Sequence, residues 1–430
     1  MQKFFVNGKC YYLNDSMETF EAFFCNDESF VLCGKNDEVL SLKSDGDEVF
    51  DCSGKTIIPA FYDTDAHIFE MIENIIKTQK SDDFVEKEHE NDENFEIFEN
   101  FDLYKETFLR LQNEYIKNGI TTIFEMNVTK KSFVFWKKLA QEKLIKIDII
   151  GFVNITSSKD VMDNNCVSYR KYVNHFRLGG YSLSLDGKIT SKCAWLKKKY
   201  KNEKGYSGCG LVLDERLNLL LKTALEEKKI VFVETNGSKA LDQFLFIAEE
   251  FYKEKKTDDV LPFLPVVRNV SFVSSWQLKK IKELGFAIDF DVSILKDEFH
   301  LLKSVVSLFG MEKLVPASKA KKLGIPIMFH LMSKSKVESP FELVKFLTSR
   351  VSNTKKIIGK GDRLTFDFAL KSLITTPAKY CFESEQKGSI EQSKKANFLV
   401  LSSDLNSKNI QSNHIEKVFV NGECIFDENK

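Results

Sequence analysis

Short apolar runs alternate along the chain with longer segments in which apolar residues recur at helical spacing. This alternation is typical of β/α units, in which a helix follows each strand and covers one face of a sheet. Tyr104–Gly119 and Leu217–Lys229 are two of the predicted helices, and Gly119 is expected to end the first. Eight such units over about 330 residues predict an α/β fold, a TIM-type (β/α)8 barrel with extensions. The predicted strands are Thr56–Phe61, Thr121–Glu125, Ile147–Val153, Tyr181–Leu185, Ile230–Val233, Phe263–Val267, Ala287–Phe290 and Ile325–Phe329.

The two ends of the sequence share a short pattern. Phe5–Tyr12 reads FVNGKCYY and Phe419–Phe426 reads FVNGECIF. Asn-Gly between short β-branched and aromatic runs is a strong local signal for a tight hairpin. We therefore expect two hairpins in one small sheet built from both ends, with Val31–Leu42 and Ala396–Leu405 as further members.

The segment of residues 79–102 departs from the alternating pattern, because it is strongly acidic and shows no clean period. This composition predicts a solvated, mobile loop, and an interaction surface is the alternative. Because the segment follows the first predicted strand, we expect it to overhang the mouth of the barrel.

Composition excludes several classes of protein. The 62 Lys and Arg residues balance 63 Asp and Glu residues, so no large basic field for nucleic acid is expected. The nine cysteines are odd in number and form no Cys-x-x-Cys motif, which predicts scattered reduced thiols rather than disulfides or a thiolate zinc site. The sequence shows no signal peptide and no apolar run of about 18 residues, so we expect a cytoplasmic protein without a membrane span.

The stretch IIPAFYDTDAH, Ile57–His67, places three polar groups at alternate positions. Side chains alternate faces along a strand, so Asp63, Asp65 and His67 should share one face near the strand's end. Carboxylates and an imidazole on one face predict either a metal site or the remains of one. Asp63 alone is expected to be structural and to hold the loop after the strand.

Several segments together resemble the amidohydrolase superfamily, in the amidohydrolase-3 branch that includes N-substituted formamide deformylase-like proteins. They are DCSGKTIIPAFYDTDAH at residues 51–67, LGGYSLSLDGK at 178–188, and FALKSLITTPAKY with KGSIEQ near the end of the chain. The resemblance covers nearly the whole chain in order. It implies a metal-dependent barrel, here residues 56–384, flanked by a β-sandwich made from residues 1–55 and 385–430.

The resemblance also implies hydrolysis of a non-peptide C–N bond by water activated on zinc or a similar ion, and this requires several converging ligands. The first histidine of the family's strand-one pair is Asp65 here, while the second remains as His67. Ser182 stands at the position of a lysine that can bridge two metals after carboxylation, just before the Asp186-Gly motif. The position of a further histidine after strand five is Glu234.

The remaining positions of the implied site also differ from the family. The histidine after strand six corresponds to Asn269, and the general-base aspartate of strand eight corresponds to Leu331. A shift of one residue would bring His330 to the site instead, where an imidazole could serve as a base. His67 is expected to contact Asp65 or Asp186 as an alternative to binding a metal. Glu234 is expected to form a salt bridge with Arg268.

Three hypotheses follow from these replacements. The first is a catalytically impaired homologue whose barrel mouth binds a small molecule; the second is an active single-metal amide hydrolase with a carboxylate-shifted site. The third is a purely structural or oligomerisation role, for example in a homodimer, and no residue of the sequence gives positive support for it. If a metal binds, Asp65, His67 and Glu234 are its expected ligands and zinc is the expected ion; otherwise no cofactor is expected. The substrate cannot be predicted from these residues.

Overall fold

The computed structural model describes residues 2–14, 17–80, 100–157, 169–252, 261–307, 313–330, 336–405, 410 and 413–430. Its strands are β1 (Lys3–Val6), β2 (Lys9–Tyr11), β3 (Thr19–Phe20), β4 (Ala22–Cys25), β5 (Phe30–Gly34), β6 (Glu48–Asp51), β7 (Thr56–Pro59), β8 (Phe61–Ala66), β9 (Ile120–Val128), β10 (Asp148–Asn154), β11 (Phe176–Ser184), β12 (Ile230–Glu234), β13 (Val266–Arg268), β14 (Phe272–Val273), β15 (Ala287–Asp291), β16 (Lys313–Leu314), β17 (Ile327–His330), β18 (Phe398–Leu401), β19 (Ile415–Val420) and β20 (Glu423–Asp427). Its helices are α1 (Asn36–Leu40), α2 (Ile68–Lys80), α3 (Phe101–Lys117), α4 (Lys130–Gln141), α5 (Asp214–Glu226), α6 (Ser238–Tyr252), α7 (Ser275–Leu284), α8 (Ser293–Lys296), α9 (Phe299–Val305), α10 (Ala317–Lys322), α11 (Pro340–Ser349), α12 (Phe366–Lys371) and α13 (Thr375–Tyr380).

Eight parallel strands form the barrel sheet in the order β17-β15-β13-β12-β11-β10-β9-β8. The predicted (β/α)8 barrel is confirmed, because helices follow successive strands and cover the outside of this sheet. Among the described residues, β17 and β8 face each other without a hydrogen-bonded ladder, so the barrel has one seam. Gly119 follows α3 at φ +70°, which confirms its prediction as a helix stop.

The predicted first barrel strand, Thr56–Phe61, is wrong, while the other seven each overlap a barrel strand. β7 pairs instead with β18 and β2 in the smaller domain, and the barrel begins at β8. A continuous apolar run crosses from one sheet to the other at Pro59 and Ala60, and both strands are largely buried. The periodicity of apolar residues cannot show where one strand ends and the next begins within such a run. The smaller domain therefore extends past its predicted boundary at residue 55.

The smaller domain is a sandwich of two sheets, with strand orders β5-β4-β1-β6 and β20-β19-β18-β7-β2-β3. Phenylalanine rings from both sheets meet between them. Phe398 stacks on Phe419 at 4.4 Å between ring centroids and contacts Phe5 and Phe23 edge-on at 5.1 Å each. Strands from both ends of the sequence thus bury one aromatic core, in agreement with the fold that the resemblance implies.

Only one of the two predicted Asn-Gly hairpins forms. β19 and β20 pair across Asn421-Gly422, which confirms the second hairpin. At Asn7-Gly8 the prediction is wrong, because β1 pairs with β4 and β6 while β2 pairs with β3 and β7. The chain crosses there from one sheet of the sandwich to the other. The local turn signal is the same in both places, and the strands available as neighbours decide the outcome.

A buried ionic network closes the amino-terminal end of the barrel. The Lys387 ammonium lies 2.5 Å from Asp148 Oδ2 and 2.9 Å from Glu383 Oε2, and Arg177 Nη2 lies 3.1 Å from Glu383 Oε1. The Tyr172 hydroxyl donates to the same Glu383 oxygen at 2.6 Å. Two cations and two carboxylates, each at most 3% exposed, therefore join the segment after α13 to the first residues of β10 and β11.

Other predictions are tested only in part. The eight cysteines in the described part of the chain are free thiols, as expected, and Cys166 lies outside it. The acidic segment lies mostly outside the described residues, since positions 81–99 are not included. Within the ranges described, none of the helices combines the length and the apolar character needed to cross a bilayer.

Candidate functional site

The carboxyl ends of the barrel strands bring together three side chains around Asp65. Asp65, near the end of β8, forms an ion pair through Oδ1 with Nη2 of Arg268, the last residue of β13. The Nε2 atom of His330, at the end of β17, lies 3.1 Å from the other carboxylate oxygen. His67 Nε2 approaches Asp65 Oδ1 to 3.3 Å. The fold therefore unites Asp65, His67 and His330, as the sequence predicts, and adds Arg268.

His330 lies between two carboxylates. Its Nδ1 atom is 2.9 Å from Asp289 Oδ1, while Nε2 faces Asp65. Burial by itself lowers the pKa of His330, but the charge and hydrogen bond of Asp289, with the charge of Asp291, outweigh it and leave that pKa raised. Nδ1 is hydrogen-bonded to Asp289, whereas Nε2 faces Asp65 Oδ2 without a hydrogen bond, and two carboxylates beside one imidazole favour its protonated form.

Arg268 is fully buried beneath this cluster, with a side chain 1% exposed. Burial lowers its pKa to about 10, against the opposing charges of Asp289, Asp291 and Asp63, so the guanidinium stays charged at neutral pH. Its Nε atom has no hydrogen-bond partner among the described residues. The Nη2 atom is directed at Asp65.

Glu234 occupies a separate cluster on the neighbouring strand β12. Its carboxylate accepts hydrogen bonds from the Ser184 hydroxyl at 2.6 Å and from the Asn236 and Asn269 amides at 2.9 Å each. The predicted salt bridge between Glu234 and Arg268 is wrong. Three neutral donors already satisfy Glu234, and Arg268 reaches across the barrel to a carboxylate that has no such donors.

Asp186 organises the loops after β11 and β12. Its carboxylate accepts backbone N–H groups of Trp195, Asn236 and Gly237, each at 2.8 Å. Burial raises the pKa of Asp186 to about 7, although these three donors act in the opposite direction. The described contacts of Asp186 are with backbone, so its place in the fold is that of a loop anchor.

Ser182 lies inside β11 and links three strands. Its hydroxyl donates to the Phe152 carbonyl at 3.1 Å and accepts the Asn127 N–H at 3.1 Å. The side chain is 1% exposed. A buried hydroxyl with both roles filled supplies no ligand that could replace the family's lysine.

Two cavities adjoin the cluster. A small one of about 30 Å³ lies in the seam and is lined by Asp63, Asp65, His330 and other residues. Asp63 is held there by the Tyr115 hydroxyl at 3.2 Å, and burial raises its pKa to about 6. A wider cleft of about 510 Å³ lies over the ends of β8 and β9; its lining includes His67, Glu70, Glu73, Glu125, Asn127 and Lys131.

The donor set does not fit a divalent metal ion. Within the residues that the structure describes, no group of three or more His, Cys, Asp or Glu side chains converges as metal ligands would. Of the three predicted ligands, Asp65 and His67 are neighbours, but Asp65 is engaged by a guanidinium and Glu234 belongs to the amide cluster. Leu331, the predicted replacement of the general base, lies outside the described residues.

Sequence reasoning missed Asp289 and the role of Arg268. The stretch AIDFD, which forms β15, carried a usable signal, because Asp289 is a charged residue inside an apolar strand and is fully buried. A buried carboxylate in a strand requires a partner. The same reasoning applies to Arg268 in VVRN, although it does not say which carboxylate the guanidinium reaches.

Comparison with known proteins identifies relatives of this chain. A family model described as the amidohydrolase family matches residues 92–426. A metal-dependent hydrolase of Pyrococcus furiosus, itself uncharacterised, superposes with a TM-score of 0.77 at 16% identity, over 94% of this chain and 99% of its own. A similar hydrolase from Pyrococcus horikoshii OT3 gives 0.77 at 18% identity, covering 94% and 98% of the two chains. An atrazine chlorohydrolase of Arthrobacter aurescens, complexed with zinc, gives 0.64 at 11% identity, over 100% and 96%. No curated protein matches the sequence.

Proposed function

The chain belongs to the amidohydrolase family, and from this premise we propose that it is a member that has lost metal-dependent hydrolysis and keeps its barrel mouth as a small-molecule binding site. The family reaction needs an ion that activates water, and such an ion needs free carboxylate and imidazole donors. The observation that carries the proposal is the ion pair between Asp65 and Arg268. It engages Asp65, whose carboxylate also contacts His67 and His330.

The replaced positions support the same proposal. Ser182 has both its hydrogen-bonding roles filled, Asn269 donates its amide to Glu234, and neither arrangement leaves a donor directed at Asp65. We place the chain in the amidohydrolase-3 branch near the formamide deformylase-like proteins, with degenerate ligand motifs. Retention of the fold with loss of these ligands fits a protein that binds rather than hydrolyses.

The cleft beside His67 is the proposed ligand site. Its volume of about 510 Å³ accommodates a small molecule, and its lining combines the carboxylates of Glu70, Glu73 and Glu125 with the ammonium of Lys131. A small polar ligand suits this lining better than an apolar one. A homodimer remains a prediction.

The alternative is an active single-metal hydrolase. One observation favours it: imidazole nitrogens of His67 and His330 lie 3.3 Å and 3.1 Å from the two oxygens of Asp65. Three side chains of ligand type are therefore close in space. For them to hold zinc, the ion bound by the atrazine chlorohydrolase, Arg268 would have to leave Asp65.

Metal analysis of the purified protein, produced without a histidine tag, tests the proposal. We expect well under 0.1 equivalent of zinc, manganese, iron or nickel, and no turnover of a panel of amides, formamides and cyclic amides with or without added Zn²⁺ or Mn²⁺. His67→Ala serves as the site variant and His414→Ala, whose side chain is 55% exposed, as its control. About one equivalent of metal that His67→Ala removes and His414→Ala keeps, with turnover abolished by chelation and restored by the ion, would establish the alternative.

A further inference from the structure

We infer that Arg268 supplies, from within the chain, positive charge that a divalent ion would otherwise bring to Asp65 at this barrel mouth. The inference rests on the proposed function, since it explains how the mouth stays folded with no ion. It assigns Arg268 a positioning role as a built-in counter-ion for Asp65.

The two oxygens of the Asp65 carboxylate face different side chains. One oxygen pairs with Arg268 Nη2 and the other lies 3.1 Å from His330 Nε2. His330 also lies 2.9 Å from Asp289 through Nδ1. Of these contacts of Asp65, the guanidinium supplies a fixed positive charge.

Burial makes this pairing important. The side chains of Asp65 and Asp289 are 0% exposed, and those of Arg268 and His330 are 1% exposed. An unpaired charge at such depth is strongly destabilising, whereas a paired one is tolerated. Two further carboxylates have their own donors: Asp291 accepts the Ser293 N–H at 2.8 Å and Asp63 accepts the Tyr115 hydroxyl at 3.2 Å. An added divalent ion would have to share Asp65 with the guanidinium that already pairs with it.

The register of the strands shows why the guanidinium is available for this role. Arg268 lies opposite Glu234 in the β12–β13 ladder and opposite Asp289 in the β13–β15 ladder. Glu234 already has three neutral donors and Asp289 Oδ1 already faces His330, and the guanidinium pairs with Asp65, on the far side of the mouth. Arginine is the side chain long enough to cross this distance and stay charged when buried.

Substitution of Arg268 tests the inference through thermal unfolding. Arg268→Ala should lower the unfolding midpoint by roughly 3 to 6 °C, because Asp65 loses its counter-ion. Addition of 50 to 500 μM Zn²⁺ or Mn²⁺ should restore a large part of that loss in Arg268→Ala and leave the wild type unchanged. In Arg268→Ala with Asp65→Asn, the midpoint should rise above that of Arg268→Ala, and the ions should have no effect.

Arg350→Ala is the matched control. Arg350 is 0% exposed and donates to the Ile358 carbonyl at 3.0 Å rather than to a carboxylate. Its substitution should also lower the midpoint, but neither divalent ion should restore it. A restoration confined to Arg268→Ala would show that the missing element is positive charge rather than side-chain volume.

Several outcomes would overturn the inference. It is wrong if the ions fail to raise the midpoint of Arg268→Ala, or if adding Asp65→Asn leaves that variant equally unstable. If Arg268→Ala does not fold, the double variant decides, because a folded double variant supports the inference and an unfolded one refutes it. Failure here in a metal-free, inactive wild type leaves the proposed function intact, while a metal-bearing wild type refutes the proposed function itself.

Discussion

Lys387→Met removes one cation from the ionic network at the amino-terminal end of the barrel. Lys387 contacts Asp148 at 2.5 Å and Glu383 at 2.9 Å, and all three side chains are at most 3% exposed. Glu383 keeps Arg177 at 3.1 Å in the variant, whereas Asp148 is left with His175, which is 28% exposed. The substitution therefore mainly leaves the buried carboxylate of Asp148 without a buried counter-ion.

The expected magnitude follows from that single orphaned charge. Removing one partner of a buried ion pair costs about 3 to 5 kcal/mol of unfolding free energy. Burial raises the pKa of Asp148, but Lys387 and His175 outweigh it and hold that pKa well below its usual range. Lys387 also lowers the pKa of Glu383. In the wild type these depressed values give stability that is constant above about pH 4.5 and lost below it.

The variant should behave differently with pH. Without Lys387, burial is free to raise the pKa of Asp148, so the variant should regain stability as the pH falls from 8 to 5 and this carboxyl takes up a proton. The difference between wild type and variant should therefore narrow over that range. Urea unfolding followed by circular dichroism at pH 8 and pH 5 measures it.

Lys117→Met is the control for this experiment. Lys117 forms an ion pair with Glu114 at 3.1 Å, but both side chains are more than half exposed. Such a substitution should change stability by less than about 0.5 kcal/mol at either pH. A cost for Lys387→Met below about 1 kcal/mol at pH 8, or a difference that does not shrink at pH 5, would refute the reasoning.

Three further predictions use the same urea assay. Burial raises the pKa of Glu125 to about 7, so ionisation of this carboxyl lowers wild-type stability as the pH rises from about 4.5 to 7. The unfolding free energy of Glu125→Gln should therefore increase by about 3 kcal/mol relative to that of the wild type between pH 5 and pH 8. A difference between the two proteins that does not change with pH would contradict this. Gly119→Ala would place a methyl group 2.6 Å from two neighbouring side chains at φ +70°, and it should lower the unfolding free energy by about 2 to 4 kcal/mol. Gly46→Ala is the control, because nothing lies within 4 Å of its added methyl group, and it should lower the unfolding free energy by about 1 kcal/mol. Equal losses in the two variants would contradict the steric argument. Phe398→Ala should lower the unfolding free energy by about 3 to 5 kcal/mol, because it leaves a cavity in the sandwich core. Phe246, which is 64% exposed, provides the control, and Phe246→Ala should lower the unfolding free energy by less than about 0.5 kcal/mol. Similar losses in the two variants would contradict the packing argument.

Sequence reasoning recovers the barrel because each β/α unit repeats the same signal. It fails at Thr56–Phe61, because one continuous apolar run contributes a strand to each of two sheets. It also fails at Asn7-Gly8, where β1 and β2 flank the turn but pair with other strands rather than with each other. Both errors arise because partners of a strand are set by tertiary packing. The local sequence pattern does not determine which strands pair.

The candidate site shows the same division. The proximity of Asp65, His67 and His330 can be predicted from sequence, because they follow the first and last predicted strands and strand ends meet at one edge of a barrel. The pairing of Arg268 with Asp65 cannot, since it joins strands that are not neighbours and depends on the reach of one side chain. Charge alone favoured Glu234, which lies opposite Arg268 on the neighbouring strand β12.

The position of β7 has a consequence for synthesis on the ribosome. One edge of this buried strand is covered early by β2, but its other edge pairs with β18, which is translated roughly 340 residues later. At about 5 to 20 residues per second, that edge waits on the order of 20 to 70 seconds for its partner. During this interval the nascent chain exposes an apolar strand that can associate with other chains, so chaperone contact should concentrate on its first sixty residues.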